Sequence, residues 1–184
     1  MAEYYLISQL PSLDGIGEST PLPITEEKFL ELCDRLLSKK SQREMEKLTL
    51  VPSLELDESA NDLIKAWCEG ERALRLALAK VRADKMNKAF DLGGKRVSAE
   101  LLKVASAAIE IQSPLEAEYF LLKYRLGFLE TLRPMDNFSE DFVFYYGLRL
   151  KLLYRVRQFD ASVGEVEYRK IYHSILNGDK LEAK

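Results

Sequence analysis

Histidine, tryptophan and cysteine are nearly missing from this chain, at one, one and two in 184 residues. The single histidine, His173, lies far from Cys33 and Cys68, so no standard zinc site can assemble, and no acidic loop has calcium-binding spacing. Two cysteines also exclude a disulfide framework. Each sits among apolar neighbours in a helical pattern, which suits reduced thiols packed as small hydrophobes. No apolar run approaches the roughly 18 uncharged residues that a membrane span needs, and MAEYYLISQLPSLDG lacks a basic leader region and a cleavage signature. The expected location is the cytoplasm, with no direct membrane span. No Gly-x-Ser-x-Gly elbow, Cys/His nucleophile pairing or dinucleotide fingerprint is present. The expectation is therefore a protein that is not an enzyme and uses no cofactor.

The run DLGGKRVS, residues 91–98, superficially resembles a phosphate cradle and fails on spacing. A P-loop needs a glycine five positions ahead of its final Gly-Lys-Ser/Thr and a buried strand before it. Here Lys88 and Ala89 stand at that distance and a helical pattern precedes them. A reversing loop between two helices explains the glycines better.

Charge is abundant but unevenly placed. The net charge is -3, yet residues 1–71 carry 15 acidic and 7 basic groups, 72–96 carry 2 and 8, and the remainder 13 and 12. The basic block follows one long helix and its exit. A nucleic-acid reader could use such a block, but aromatics for base stacking are scarce in it and the whole chain is acidic. No nucleic-acid partner is expected.

The pattern is mainly α: a compact bundle of six or seven helices with a short N-terminal strand, one helical domain over 1–184. EYYLISQL is aromatic and β-branched enough for the strand, and residues 11–24, with Gly15, Gly17, Pro21 and Pro23, read as the loop after it. Thr25 caps a helix carrying Phe29, Leu32, Cys33, Leu36 and Leu37. Ser41 to Glu44 has capping-box spacing before a shorter helix. Asp57 or Ser59 starts the long helix, which runs to about Phe90. Ser98 opens the next, and Ser113-Pro114-Leu115-Glu116 joins an N-cap serine, a proline at the first helical position and a returning glutamate. Ser139 begins a helix whose apolar residues point nearly everywhere, which suits a central position. Ser162 to Glu165 caps the last, closed by Asn177-Gly178.

Within the long helix the segment WCEGERALRLALAKVRADK breaks the usual division of faces. Trp67, Leu74, Leu78 and Val81 form one stripe, and Glu71, Arg75, Arg82 and Lys85 lie on or beside it. Arg149 likewise projects among Phe142, Tyr146, Leu153 and Val156. Charge on a buried stripe has to be paired or to meet a partner protein, because desolvating it alone costs several kcal/mol. These five residues are the candidate ionic network. Glu71 can pair with Arg75 one turn on, and Glu118 or Glu130 could meet Arg82 or Arg149 from a neighbouring helix.

AEYYLISQLP, EEKFLELCDRLLS, WCEGERALRLALAKVRADK and LKLLYRVRQFDASVGEVEYRKIYHSIL together resemble a bacterial family of unknown function encoded among the subunits of V/A-type ATPases. The spacing of Glu71, Leu74, Arg75, Leu78, Arg82, Ala83 and Lys85 is also similar to helices of the V-type ATPase socket protein, the helical funnel that joins the rotating shaft to the membrane rotor ring. The resemblance implies a non-catalytic coupling or assembly subunit, peripheral to the membrane. Its partners would be other V/A-type ATPase subunits, the central shaft and the membrane rotor ring. The chain is much shorter than that socket protein, which leaves open the whole of its role or part of it. The alternatives are a free-standing helical adaptor binding another partner and, behind it, a nucleic-acid binder.

Overall fold

The computed structural model describes residues 2–16, 20–52, 61–94, 96–158 and 161–178. Among them the chain forms eight helices: α1 (Ala2–Gln9), α2 (Glu26–Leu36), α3 (Lys39–Glu46), α4 (Asp62–Lys85), α5 (Ala99–Glu110), α6 (Pro114–Thr131), α7 (Glu140–Arg157) and α8 (Ala161–Gly178). No strand occurs among the described residues.

The expected N-terminal strand is instead α1. Leu6 is fully buried, and Ile7 and Leu10 pack against the same core while Tyr4 and Tyr5 stay exposed, a spacing that fits a helix face rather than alternation. A lone strand in an otherwise helical protein would leave its backbone groups without partners, whereas a helix satisfies them internally. Tertiary context therefore outweighs β propensity here. The described residues of this segment, 11–16 and 20–24, form no helix or strand, as expected, and Leu13 and Ile24 among them are buried.

Side-chain caps set most helix starts. Thr25, Ser98, Ser113 and Ser139 each accept a hydrogen bond from the backbone N–H three residues on, and Pro114 opens α6. Three starts differ from the sequence reading. Ser38 caps α3, and Ser41 lies inside it, 2.6 Å from the Ser38 hydroxyl. Asn61 caps α4, its Oδ1 accepting from Ile64 N–H at 3.0 Å; Asp57 and Ser59 lie outside the described residues. Ser162 is already within α8, which is described from Ala161.

The long helix also stops sooner than Phe90. Asn87 takes the left-handed conformation (φ 53°), and the Lys88 N–H closes back onto the Ala83 carbonyl at 2.9 Å. This is a glycine-like helix stop supplied by asparagine. Gly93 and Gly94 then turn the chain with φ of 57° and 76°. Lys95 lies outside the described residues.

Two apolar clusters make the interior. In the larger, α7 is the axis: Val143, Phe144, Leu148, Leu150 and Leu152 are almost wholly buried against Leu6, Phe29, Trp67 and Leu129. In the smaller, Leu74, Ala77 and Leu78 of α4 meet Ala105 and Ala108 of α5 and Leu121 of α6. Alanines on both helices let α4 and α5 approach closely along their length. Gly70 makes room between α4 and α6, since a Cβ there would stand 2.3 Å from the Phe128 ring, which stacks on Trp67. By contrast, Val166, Tyr168, Ile171, Tyr172 and Ile175 of α8 are all half exposed or more.

Candidate functional site

Glu71 follows Trp67 by four residues and precedes Leu74 by three, so helix geometry turns it inward with its apolar neighbours. It is 2% exposed. Its Oε1 accepts from Arg75 Nε at 2.9 Å and from Arg125 Nη2 at 3.0 Å, and its Oε2 accepts from Arg125 Nε at 2.9 Å. The Arg125 contact is thus bidentate, the strongest geometry available to this pair. Arg125, itself buried, extends Nη1 to Glu118 Oε1 at 3.4 Å, and Glu118 takes Arg155 Nη2 at 2.8 Å. One ionic chain, Arg75 to Glu71 to Arg125 to Glu118 to Arg155, therefore crosses from α4 through α6 to α7. It also holds the loop after α3, because Arg75 Nη2 reaches the Leu50 carbonyl at 3.4 Å beside the Trp67 Nε1 bond to Thr49 at 3.2 Å.

A second cluster centres on Arg149 of α7. Its Nη1 meets Glu130 and the Tyr145 hydroxyl (2.8 Å), and its Nη2 meets Asp14 at 3.3 Å and the Leu13 carbonyl at 3.4 Å. Tyr145 in turn donates to Glu130 at 2.6 Å, and Arg149 Nε is buried without a hydrogen-bond partner. Burial by itself would lower the Arg149 pKa, but Tyr145, Glu130 and Asp14 outweigh it and hold the guanidinium above its ordinary value. Burial, helped by Glu130, pushes the Tyr145 hydroxyl up. Tyr146 donates to the Pro11 carbonyl at 2.8 Å, and burial raises its pKa as well. This cluster therefore pins Pro11, Leu13 and Asp14 onto α7. Beside it opens a cavity of about 220 Å³, lined by Leu10, Arg133, Asn137, Phe138, Phe142 and Arg149 among others.

The five residues singled out in the sequence do not form one network. Glu71 and Arg75 belong to the first cluster and Arg149 to the second. Arg82 and Lys85 belong to neither, because they occupy the last turn of α4, where the stripe runs out into solvent and both side chains are exposed. Lys85 Nζ reaches the Ile109 carbonyl at 3.4 Å, near the negative end of α5. Glu118 pairs with Arg125 and Arg155 rather than with Arg82, whereas Glu130 does meet Arg149. Arg125 had a readable signal: it lies three residues after Leu122 and four before Leu129, both buried, so the stripe rule turns it inward too. The Glu118 and Arg155 contact joins residues 37 apart in sequence and has no local signature.

Chemically, both clusters neutralise charge rather than activate it. Among the described residues no group of three or more His, Cys, Asp or Glu side chains could hold a metal ion, and no helix is long and apolar enough to cross a membrane. Cys33 and Cys68 are buried, and burial raises the Cys33 thiol to about 12. No family model, curated protein or solved structure matches this chain.

Proposed function

We propose that this chain is a non-catalytic coupling or assembly subunit of a V/A-type rotary ATPase, linking the central shaft and the membrane rotor or occupying part of that role. The resemblance of its four quoted segments to a family encoded with such subunits is the source of the reading. The observation that carries it furthest is the ionic chain from Arg75 to Arg155. A part that transmits torque has to resist shear between its helices; here the buried bidentate Glu71–Arg125 pair ties α4 to α6, and the partly exposed Glu118–Arg155 pair ties α6 to α7. Glu71, Arg125, Glu118 and Arg155 join helices, and Arg75 fastens the loop after α3, which is what a rigid adaptor requires.

Co-purification tests the reading. Tagged full-length chain should capture ATPase shaft or rotor components from a lysate at low salt and lose them progressively as salt rises. Capture of none of them at low salt would reject it. A free-standing helical adaptor is the second reading, favoured by the exposed apolar stripe of α8 (Tyr168, Ile171, Tyr172, Ile175). On that reading, deleting the chain leaves the ATPase fully assembled.

A further inference from the structure

Around the junction of α1 with the start of α7, large apolar side chains stand in solvent. Tyr4 and Phe138 are 60% and 49% exposed and stack with ring centroids 4.6 Å apart, and Met135 is fully exposed. Two rings held face to face in water are an arrangement that monomeric surfaces use sparingly and interfaces use often. Phe138 also forms the lip of the cavity of about 220 Å³ beside Arg149, so the rings and the hollow are one continuous surface. That volume falls short of the roughly 300 Å³ at which small-molecule sites begin, and suits one or two inserted side chains.

The charge around this surface is biased to one sign. Asp14, Glu130, Asp136, Glu140 and Asp141, the last bonded to Asn61, lie around it, against Arg133, Arg149 and, near Glu140, Lys40. The two arginines are already committed, Arg149 to Glu130 and Asp14, and Arg133 to Glu130 and the Tyr145 ring. Asp14 and Glu130 still keep much of their surface in solvent. Burial first, and then the acidic neighbours Glu3, Asp141 and Glu44, raise the Glu140 pKa against the opposing effect of Lys40. The stripe of α8 is different. Its charges close on one another, Glu165 with Arg169 and Glu167 with Lys170, and select no sign of partner.

We propose that the Tyr4 and Phe138 face, with the adjoining cavity, docks a basic amphipathic helix of a partner protein, an apolar anchor entering the cavity and lysines or arginines meeting the surrounding carboxylates. The assignment deepens the assembly reading, on which it rests, by giving the partner its chemistry. The anchor supplies affinity through desolvation against the aromatic rings, and the carboxylates select basic over acidic helices.

The test uses the full chain and a fluorescein-labelled synthetic amphipathic helix of leucine and lysine, with a leucine and glutamate helix as comparison. Fluorescence anisotropy should detect binding of the lysine helix alone, and amide shift changes in NMR should concentrate in residues 4–14 and 133–146. Tyr4→Ala and Phe138→Ala alter no charge and remove exposed rings, so each should weaken binding about ten-fold with an unchanged circular dichroism spectrum. Equal binding of the two helices, shifts centred on α8 or on the end of α4, or affinity indifferent to both substitutions would overturn the proposal. So would sedimentation showing that a second copy of the chain covers this face. The same variants in the ATPase co-purification separate the two ideas. Undiminished capture by Phe138→Ala overturns this surface and leaves the assembly reading standing, whereas lysine-helix binding by a chain that captures no ATPase component supports the surface and ends that reading.

Discussion

Replacing Glu71 with alanine should be among the most damaging single changes in this protein. The substitution removes three charge-assisted hydrogen bonds and leaves Arg125, whose side chain is 11% exposed, with only the 3.4 Å contact to Glu118. Stranding a buried charge in this way costs about 3–5 kcal/mol, equivalent to a fall in melting temperature of roughly 6–20 °C for a chain of this size. Arg125→Met should cost less, because Arg75 continues to neutralise Glu71. Arg75→Ala should cost least, about 0.3–1 kcal/mol, since its side chain is 42% exposed and the pair lies along one helix. The double variant Glu71→Leu with Arg125→Met removes both charges and restores apolar contact, so its stability should return close to that of the parent. Urea unfolding of these variants and of Glu71→Leu alone, with the midpoint and slope fitted together, closes the cycle and gives the coupling energy. Additive losses in the double variant, or a loss below about 1 kcal/mol for Glu71→Ala, would refute the claim that this pair is a buried, mutually dependent tie.

Three further outcomes follow from the described contacts. With its thiol pushed to about 12, Cys33 should resist an aromatic disulfide reagent at pH 8 in the folded protein and react promptly in urea, measured by absorbance of the released thiolate. Glu140 is a carboxylate whose folded pKa stands above its ordinary value of 4.5, so its ionisation works against folding. Glu140→Gln should therefore match the parent at low pH and become the more stable of the two as pH rises past about 4.5. The margin is a few tenths of a kcal/mol because the site is exposed, and melts across pH will read it. Tyr146→Phe deletes the bond to the Pro11 carbonyl and should cost about 1 kcal/mol, with faster amide exchange concentrated in residues 11–16.

The sequence by itself determined what depends on neighbours a few residues away. Thr25, Ser98, Ser113 and Ser139 announce helix starts because a cap bonds three residues on, and Glu71 announces its own burial because its stripe is a property of one helix. The same arithmetic would have found Arg125. The tertiary structure decided whatever depends on which surfaces meet. EYYLISQL became α1 because only a helix packs Leu6, Ile7 and Leu10 onto α2 and α7 while keeping its backbone satisfied. Arg82 and Lys85 obey the periodicity of Glu71 yet stay exposed, because the last turn of α4 buries Ala83 and not the stripe that carries them. Glu118 found Arg155, and Asp14 found Arg149, across distances in the chain that no local rule spans. A helix period tells which way a side chain points, and only the packed molecule tells what stands there to receive it.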